Sequence, residues 1–265
     1  MIKSIIKNIL LKRGKLLNNI FYKKRMFHDF FDMLQPVHGG YDLIRVGSKY
    51  DGGYLLPNDL KNIKYCFSPG VSDNSTFEED LYENFNIKSY MCDNSIDTPS
   101  IFSEGFHFIK KHLSTKSNDH NITLDEWISN NLSDQEMVLQ MDIEGSEYDI
   151  ILNSKPEILD KFRIIVIEFH SFEQIFTYGG FKLLKNTFKK LLANHSVIHI
   201  HPNNIVRPFI YKEYEIPTGL EITLLRNDRI KDFTLRKLFP HELDSPTNKD
   251  NFNFALPKCF YEKIT

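Results

Sequence analysis

This sequence predicts an alternating α/β fold with a mostly parallel sheet, and two stretches carry most of that prediction. Val138 to Leu152 reads VLQMDIEGSEYDIIL, and Arg163 to His170 reads RIIVIEFH. Each begins as a continuous apolar run, the pattern of a strand buried on both faces. Each ends in carboxylates: Asp142 and Glu144 in the first, and Glu168 in the second, with His170 two residues beyond. A third observation is that strand-like and helix-like segments alternate from Lys64 onward, as parallel strands joined by crossovers require. Ligands of open α/β sheets sit at the carboxyl ends of the strands, so two adjacent strands of this kind place Asp142, Glu168 and His170 around one crevice. The plainer reading is that Asp142 and Glu144 only open the next helix, where carboxylates suit the N-terminus. It leaves the Glu-Phe-His ending of the second strand unexplained.

With 265 residues, 41% hydrophobic and 26% charged, the chain has an ordinary globular composition, enough for one large domain or two small ones. A net charge of -2 gives no reason to expect a nucleic-acid partner. Cys66, Cys92 and Cys259 are odd in number and widely spaced, which argues against a disulfide framework and points to the reducing cytoplasm. No apolar run reaches the roughly 18–20 residues of a membrane span, and the N-terminus lacks the uninterrupted apolar core of a signal peptide.

Residues 1–34 read as a basic amphipathic extension, ahead of a main domain over 35–265. Lys3, Lys7, Lys12, Arg13, Lys15, Lys23, Lys24 and Arg25 precede the first acid, Asp29, while Ile2, Ile5, Ile6, Ile9, Leu16, Leu17 and Ile20 recur at helical spacing. Such a helix either lies on the inner face of a membrane as a peripheral contact or packs on its own domain or a second subunit. The absence of a second membrane signal favours packing. Next, LIRVGSKYDGGYLLP at 43–57 holds two β-type runs about Asp51-Gly52-Gly53, a hairpin signal. A turn explains the glycines, and Arg45 and Asp51 remain polar groups available to a ligand.

Tyr65 to Val71 is a strand ending at Gly70, and Ser75 caps a helix running to Asn84, with Glu78 in capping-box position. A strand, a glycine turn and a helix N-terminus let backbone N–H groups approach a ligand, although the G-x-G-x-x-G spacing is missing. Ile87 to Cys92 is the next strand and ends at Asp93. That acid is placed either to accept hydrogen bonds from ribose hydroxyls or merely to start a turn. Phe106 to Leu113 is a third strand, Thr123 opens a short helix containing Trp127, and a helix follows the organising strand from about Glu147, with a break at Pro156. Phe172 to Asn194 reads as one long amphipathic helix interrupted at Gly179-Gly180. SVIHIH at 196–201 is a sixth strand with His199 and His201 on one face. A polar loop with Pro208 and Pro217 leads to a seventh strand, EITLL at 221–225 and antiparallel, and the tail from Phe239 wraps the surface.

MDIEGSEYDIIL followed by IVIEFH resembles the FkbM-type family of S-adenosylmethionine-dependent methyltransferases. RVGSKYDGGYLL, GVSDNSTFE, HIHPNN and PHELDSPTN resemble a bacterial sugar O-methyltransferase-like subgroup of it. The resemblance spans roughly residues 40–255, and the Asp-Ile-Glu-Gly segment is its most specific part. It departs at the first glycine turn, where Ser72 stands in place of the usual second glycine. The resemblance implies a Rossmann-like class I methyltransferase sheet of order 3-2-1-4-5-7-6, with S-adenosylmethionine over strands one, two and four. Gly70, Val71, Ser72, Asp93 and Asp142 are then the expected cofactor residues, and a sugar or glycan hydroxyl, as in polysaccharide biosynthesis, is the expected acceptor.

An alcohol is barely ionised at neutral pH, so O-methylation needs a general base or a divalent metal. Asp142, Glu168 and His170 suit Mg²⁺ or Mn²⁺, and Asp142, His170 and His201 are the expected catalytic groups. Two rivals stand beside this reading. NAD-dependent oxidoreduction is disfavoured by the missing G-x-G-x-x-G. A non-catalytic module of the same fold, docking on a membrane-associated glycan assembly, is separable by whether S-adenosylhomocysteine raises thermal stability.

Overall fold

The computed structural model describes residues 21–101, 103–131 and 135–263. Its centre is a seven-stranded sheet assembled from β3 (Tyr65–Pro69), β4 (Lys88–Cys92), β5 (Phe106–Ile109), β8 (Met137–Met141), β9 (Phe162–Phe169), β10 (His195–Asn203) and β13 (Gly219–Arg226). The spatial order is β5-β4-β3-β8-β9-β13-β10, which is the expected 3-2-1-4-5-7-6. All pairings in the first five strands are parallel, whereas β13 runs antiparallel to both β9 and β10. This is a class I Rossmann-like methyltransferase sheet. Every residue of β8 and β9 is buried, as their unbroken apolar runs require of central strands covered on both faces.

One face is covered by a hairpin of β1 (Leu43–Gly47) and β2 (Gly53–Pro57), with α2 (Thr76–Phe85) beside it; Val46, Leu56, Phe77 and Leu81 pack on Val138 and Val166. The other face carries α1 (Lys24–Met33), α3 (Leu124–Asn131), α4 (Glu147–Asn153) and α6 (Tyr178–Leu191), among many aromatic rings. Smaller elements are β6 (His112–Leu113), β7 (Asn121–Ile122), α5 (Pro156–Leu159) and a hairpin of β11 (Phe209–Tyr211) and β12 (Tyr214–Ile216). Cys66 and Cys92 are buried free thiols, as their strand positions imply.

Several sequence expectations need correction. The boundary at residue 34 moves, because α1 belongs to the body: Phe27, Phe30 and Phe31 are fully buried, and Phe21 N–H donates to Phe176 O at 2.7 Å. The extension proper, 1–20, lies outside the described residues. The capping box at Ser75 does not form. Glu78 turns into the core to meet Ser68, and Asn74 Oδ1 accepts from Thr76 N–H instead.

The long helix expected from Phe172 is a 3-10 turn (Phe172–Phe176) followed by α6, and the break is at Thr177 rather than at the glycines. Thr177 Oγ1 accepts from Gly180 N–H at 2.9 Å, so the glycine pair lies in the first turn of α6. The third strand stops at Ile109, and the polar loop before β13 contains the β11–β12 hairpin. The tail does more than wrap the surface, since Asp244 reaches His199 on β10.

Candidate active site at the carboxyl edge of the sheet

The turn after β3 is shaped by contact with the end of β8. Gly70 has φ +84°, and a Cβ there would fall 1.6 Å from the backbone oxygen of Asp142, so only glycine fits. Ser72 also takes positive φ, 47°, the conformation for which a glycine is usual, and its N–H donates to Asp93 Oδ2 at 2.9 Å. Asp93 stands at the end of β4 as expected. Its other oxygen accepts from Ser95 N–H at 2.7 Å and Ser95 Oγ at 2.6 Å, so it holds the turn in shape. Gly70, Val71 and Ser72, with Asp51 and Asp142, line a small cavity of about 90 Å³.

Asp142, Glu168 and His170 do converge: one donor atom from each lies within 4.8 Å of the others. His170 Nε2 is 3.8 Å from Asp142 Oδ1 and 3.6 Å from Glu168 Oε1; Glu144 Oε2, on a mostly exposed side chain, is 3.5 Å away. These separations exceed the roughly 3 Å between adjacent ligands in an octahedral shell with bonds of about 2.1 Å, so a divalent ion would draw the groups inward. Asp142 Oδ1 is buried with no hydrogen-bond partner, an acceptor left for a cation or a proton.

Burial pushes the Asp142 carboxyl well up, and the Glu168 charge pushes it further. Burial likewise raises Glu168, with Glu221 adding to it. For His170 burial works downward, but the hydrogen bond with Glu147 and the charges of Glu168, Glu147 and Asp142 outweigh it and raise the imidazole. The cluster holds more negative charge than one imidazolium can offset. That excess calls for protons or a metal.

The supporting groups were only partly legible. Glu147 is fully buried; its Oε1 accepts from Ile143 N–H at 3.2 Å and Gly145 N–H at 2.9 Å, and lies 3.1 Å from His170 Nδ1. It fixes the Asp-Ile-Glu-Gly turn and the imidazole together, a role hidden in sequence by its position at a helix start. Asn203 Nδ2 donates to Glu168 Oε1, and its same-face spacing from His201 was the available signal. Arg45 donates to the carbonyls of Ser48, Lys49 and Tyr50, which makes it the staple of the β1–β2 turn.

His201 does not join this centre. Strand β13 inserts between β9 and β10, so the register runs His201–Glu221–Glu168 across three strands, and His201 Nδ1 faces Asp244 Oδ1 at 3.4 Å. The Asp142 centre opens instead into a cleft of about 1140 Å³, bordered by Glu173, Asn203, Val206, Arg207, Phe209 and Thr247 among others. Asp51 and Asp142 line both this cleft and the turn cavity.

The Methyltransferase FkbM domain matches residues 56–198, a span holding the glycine turn, Asp93, Asp142, Glu168 and His170. This chain belongs to the FkbM methyltransferase family. The protein is thus an S-adenosylmethionine-dependent methyltransferase. No curated protein matches it.

Solved structures similar to this FkbM chain are remote. A Methanococcus jannaschii fibrillarin pre-rRNA processing protein shares 10% identity over 71% of this chain and 83% of its own, with a TM-score of 0.40. A precorrin-6y C5,15-methyltransferase from Geobacter metallireducens shares 9% over 80% and 93%, at 0.36. M. capricolum TrmK bound to S-adenosyl-homocysteine shares 14% over 66% and 70%, at 0.33. Among the described residues, no helix is long and apolar enough to cross a membrane.

Proposed function

We propose that this methyltransferase transfers the methyl group to a hydroxyl of a sugar or glycan precursor with the help of Mg²⁺ or Mn²⁺. The observation that carries the reading is Asp142 Oδ1, buried without a hydrogen-bond partner between the glycine turn and a roomy cleft, with Glu168 and His170 beside it. S-adenosylmethionine supplies an activated methyl on a sulfonium, so the protein has to align the acceptor and manage one proton. Gly70, Val71 and Ser72 would hold the cofactor, since the turn is glycine-tight and its amide at Ser72 is fixed by Asp93. The further role of Asp93 in this reading is on the ribose.

The donor set fits a hard divalent ion: two carboxylates and one imidazole, with an excess of negative charge to neutralise. Such an ion would acidify a bound hydroxyl. With Nδ1 held against Glu147, His170 turns only Nε2 to this space, and that nitrogen would bind the ion or, in a metal-free site, accept the acceptor's proton. Glu173, Asn203 and Arg207 give the cleft the polar groups a glycan needs, and Val206 and Phe209 offer apolar surface against a sugar face.

An irregular glycine turn would also be compatible with a non-catalytic module of this fold. Ser72 adopts the backbone conformation for which a glycine is usual, which supports a working turn. The test is methyl transfer from labelled cofactor to glycan precursors. EDTA should abolish turnover and Mg²⁺ or Mn²⁺ should restore it. Asp142→Asn should lower kcat by a factor of 100 or more while changing S-adenosylhomocysteine affinity far less. Full activity of the metal-free enzyme would remove the metal from the reading and leave His170 as the base.

A further inference from the structure

A second cluster lies at the edge of the same sheet, outside the centre just described. His199 and His201 on β10 meet Asp244 of the tail: Asp244 Oδ1 is 2.8 Å from His199 Nε2 and 3.4 Å from His201 Nδ1. Both histidines are buried, and donor atoms from all three residues lie within 4.8 Å of one another. We propose that His199, His201 and Asp244 bind Zn²⁺, and that this ion fastens the C-terminal tail to β10.

Hydrogen bonding alone accounts poorly for the cluster. One carboxylate oxygen faces two rings, yet His201 Nδ1, 3.4 Å from it, is buried without a hydrogen-bond partner and is the orphan that an ion would satisfy. Such orphaned polar atoms are rare and destabilising in a folded chain. Zn²⁺ offers a better match. With bonds of about 2.0–2.1 Å at tetrahedral angles, neighbouring ligand atoms stand about 3.3 Å apart. The 3.4 Å between Asp244 Oδ1 and His201 Nδ1 matches that value, while the 2.8 Å to His199 Nε2 is a hydrogen bond that a bound ion would replace and open by about half an ångström.

The support around the cluster is also of the kind a zinc site has. Asp244 Oδ2 accepts from His241 N–H at 2.7 Å, which aims Oδ1 at the two rings, and the His199 ring stacks on Phe239. A cavity of about 210 Å³ beside His201 and Asp244, with Ser245 on its wall, has room for a water as fourth ligand. Arg45 and Arg236 oppose a cation at Asp244, whereas Glu221 favours one at His201. Two imidazoles and one carboxylate suit a borderline ion better than the hard Mg²⁺ that fits Asp142 and Glu168. The consequence reaches the cleft: three residues past Asp244, Thr247 lines it, and Asn248 exchanges two 2.8 Å hydrogen bonds with Asn204.

The experiment uses the full chain, loaded with ZnCl₂, desalted and assayed for zinc by mass spectrometry, with limited proteolysis of the tail alongside. Asp142→Asn, which disables the other centre, should retain about one zinc per chain. Adding Asp244→Asn or His199→Gln to it should leave less than a tenth of that. Chelation should speed tail cleavage of the wild type at least fivefold and added Zn²⁺ should reverse it, a readout that needs no variant to fold. Asp142→Asn that keeps no zinc, or that keeps all of it after Asp244→Asn is added, would overturn the proposal.

Discussion

The hydroxyl of Ser68 touches two oxygens, Glu78 Oε1 and Gln140 Oε1, the latter at 2.6 Å, and it has one proton to give. A protonated Glu78 would supply the second, and burial does push its carboxyl up to about 7. Because the folded value exceeds the ordinary one, the unfolded chain releases this proton first as pH rises. The native state therefore loses stability from about pH 4.5 to 7, by about 3 kcal/mol when the loss is complete. Glu78→Gln keeps the shape and removes the ionisation. Its thermal midpoint should match wild type near pH 4.5 and exceed it by several degrees at pH 8, as calorimetry would show. Equal midpoints at pH 8 would mean that Glu78 ionises without cost. The sequence could not reveal this. Glu78 sits at capping-box spacing, and only the approach of β3 and β8 shows that it points inward.

At the scale of elements, the β1–β2 hairpin is the piece that reaches the chemistry from outside the main sheet. Asn74 Nδ2 donates to Asp51 O at 3.1 Å, while Asn74 Oδ1 serves the start of α2, so the hairpin tip and the glycine turn are joined through one side chain. Gly52 has φ +77°, and a Cβ there would lie 2.4 Å from Asn74 Nδ2. Gly52→Ala should therefore lift the tip, at about 1–2 kcal/mol of backbone strain, and weaken S-adenosylhomocysteine binding roughly threefold to tenfold. Calorimetric titration checks it, and unchanged affinity would detach the hairpin from the cofactor site.

The hairpin was legible because Asp-Gly-Gly between β-type runs has few other readings, as β8 and β9 were from their apolar runs. The β11–β12 hairpin was not: PFIYKEYEIP is short, has no glycine to mark its turn and is bounded by prolines, and it forms because Phe209 and Tyr214 pack on Phe176 and other buried rings. The Asp244 contact was hidden by distance, since the residue lies 45 positions from His199.

Across the whole molecule, the N-terminal segment is where chain order and architecture diverge. Basic residues made 1–34 look like one detachable extension. Yet Phe31 stacks on Tyr214 and meets Phe260 at 5.0 Å between ring centres, and Phe30 and Phe27 pack on Phe188 and Phe176. Charge patterning alone does not distinguish the helix that closes this aromatic layer from the residues before it. Removing three buried phenylalanines costs about 3–5 kcal/mol each, comparable to the entire 5–15 kcal/mol that holds a domain together. Deletion of residues 1–34 should then yield insoluble or unfolded protein. Deletion of 1–20 should leave the thermal midpoint within a few degrees of the full chain, and methyl transfer to a free acceptor largely intact. Sedimentation with anionic vesicles would show whether the lysines of 1–20 serve a membrane, and sedimentation velocity whether they serve a second subunit. A folded, fully active chain beginning at residue 35 would contradict the packing argument, because it would mean that the aromatic layer closes without α1.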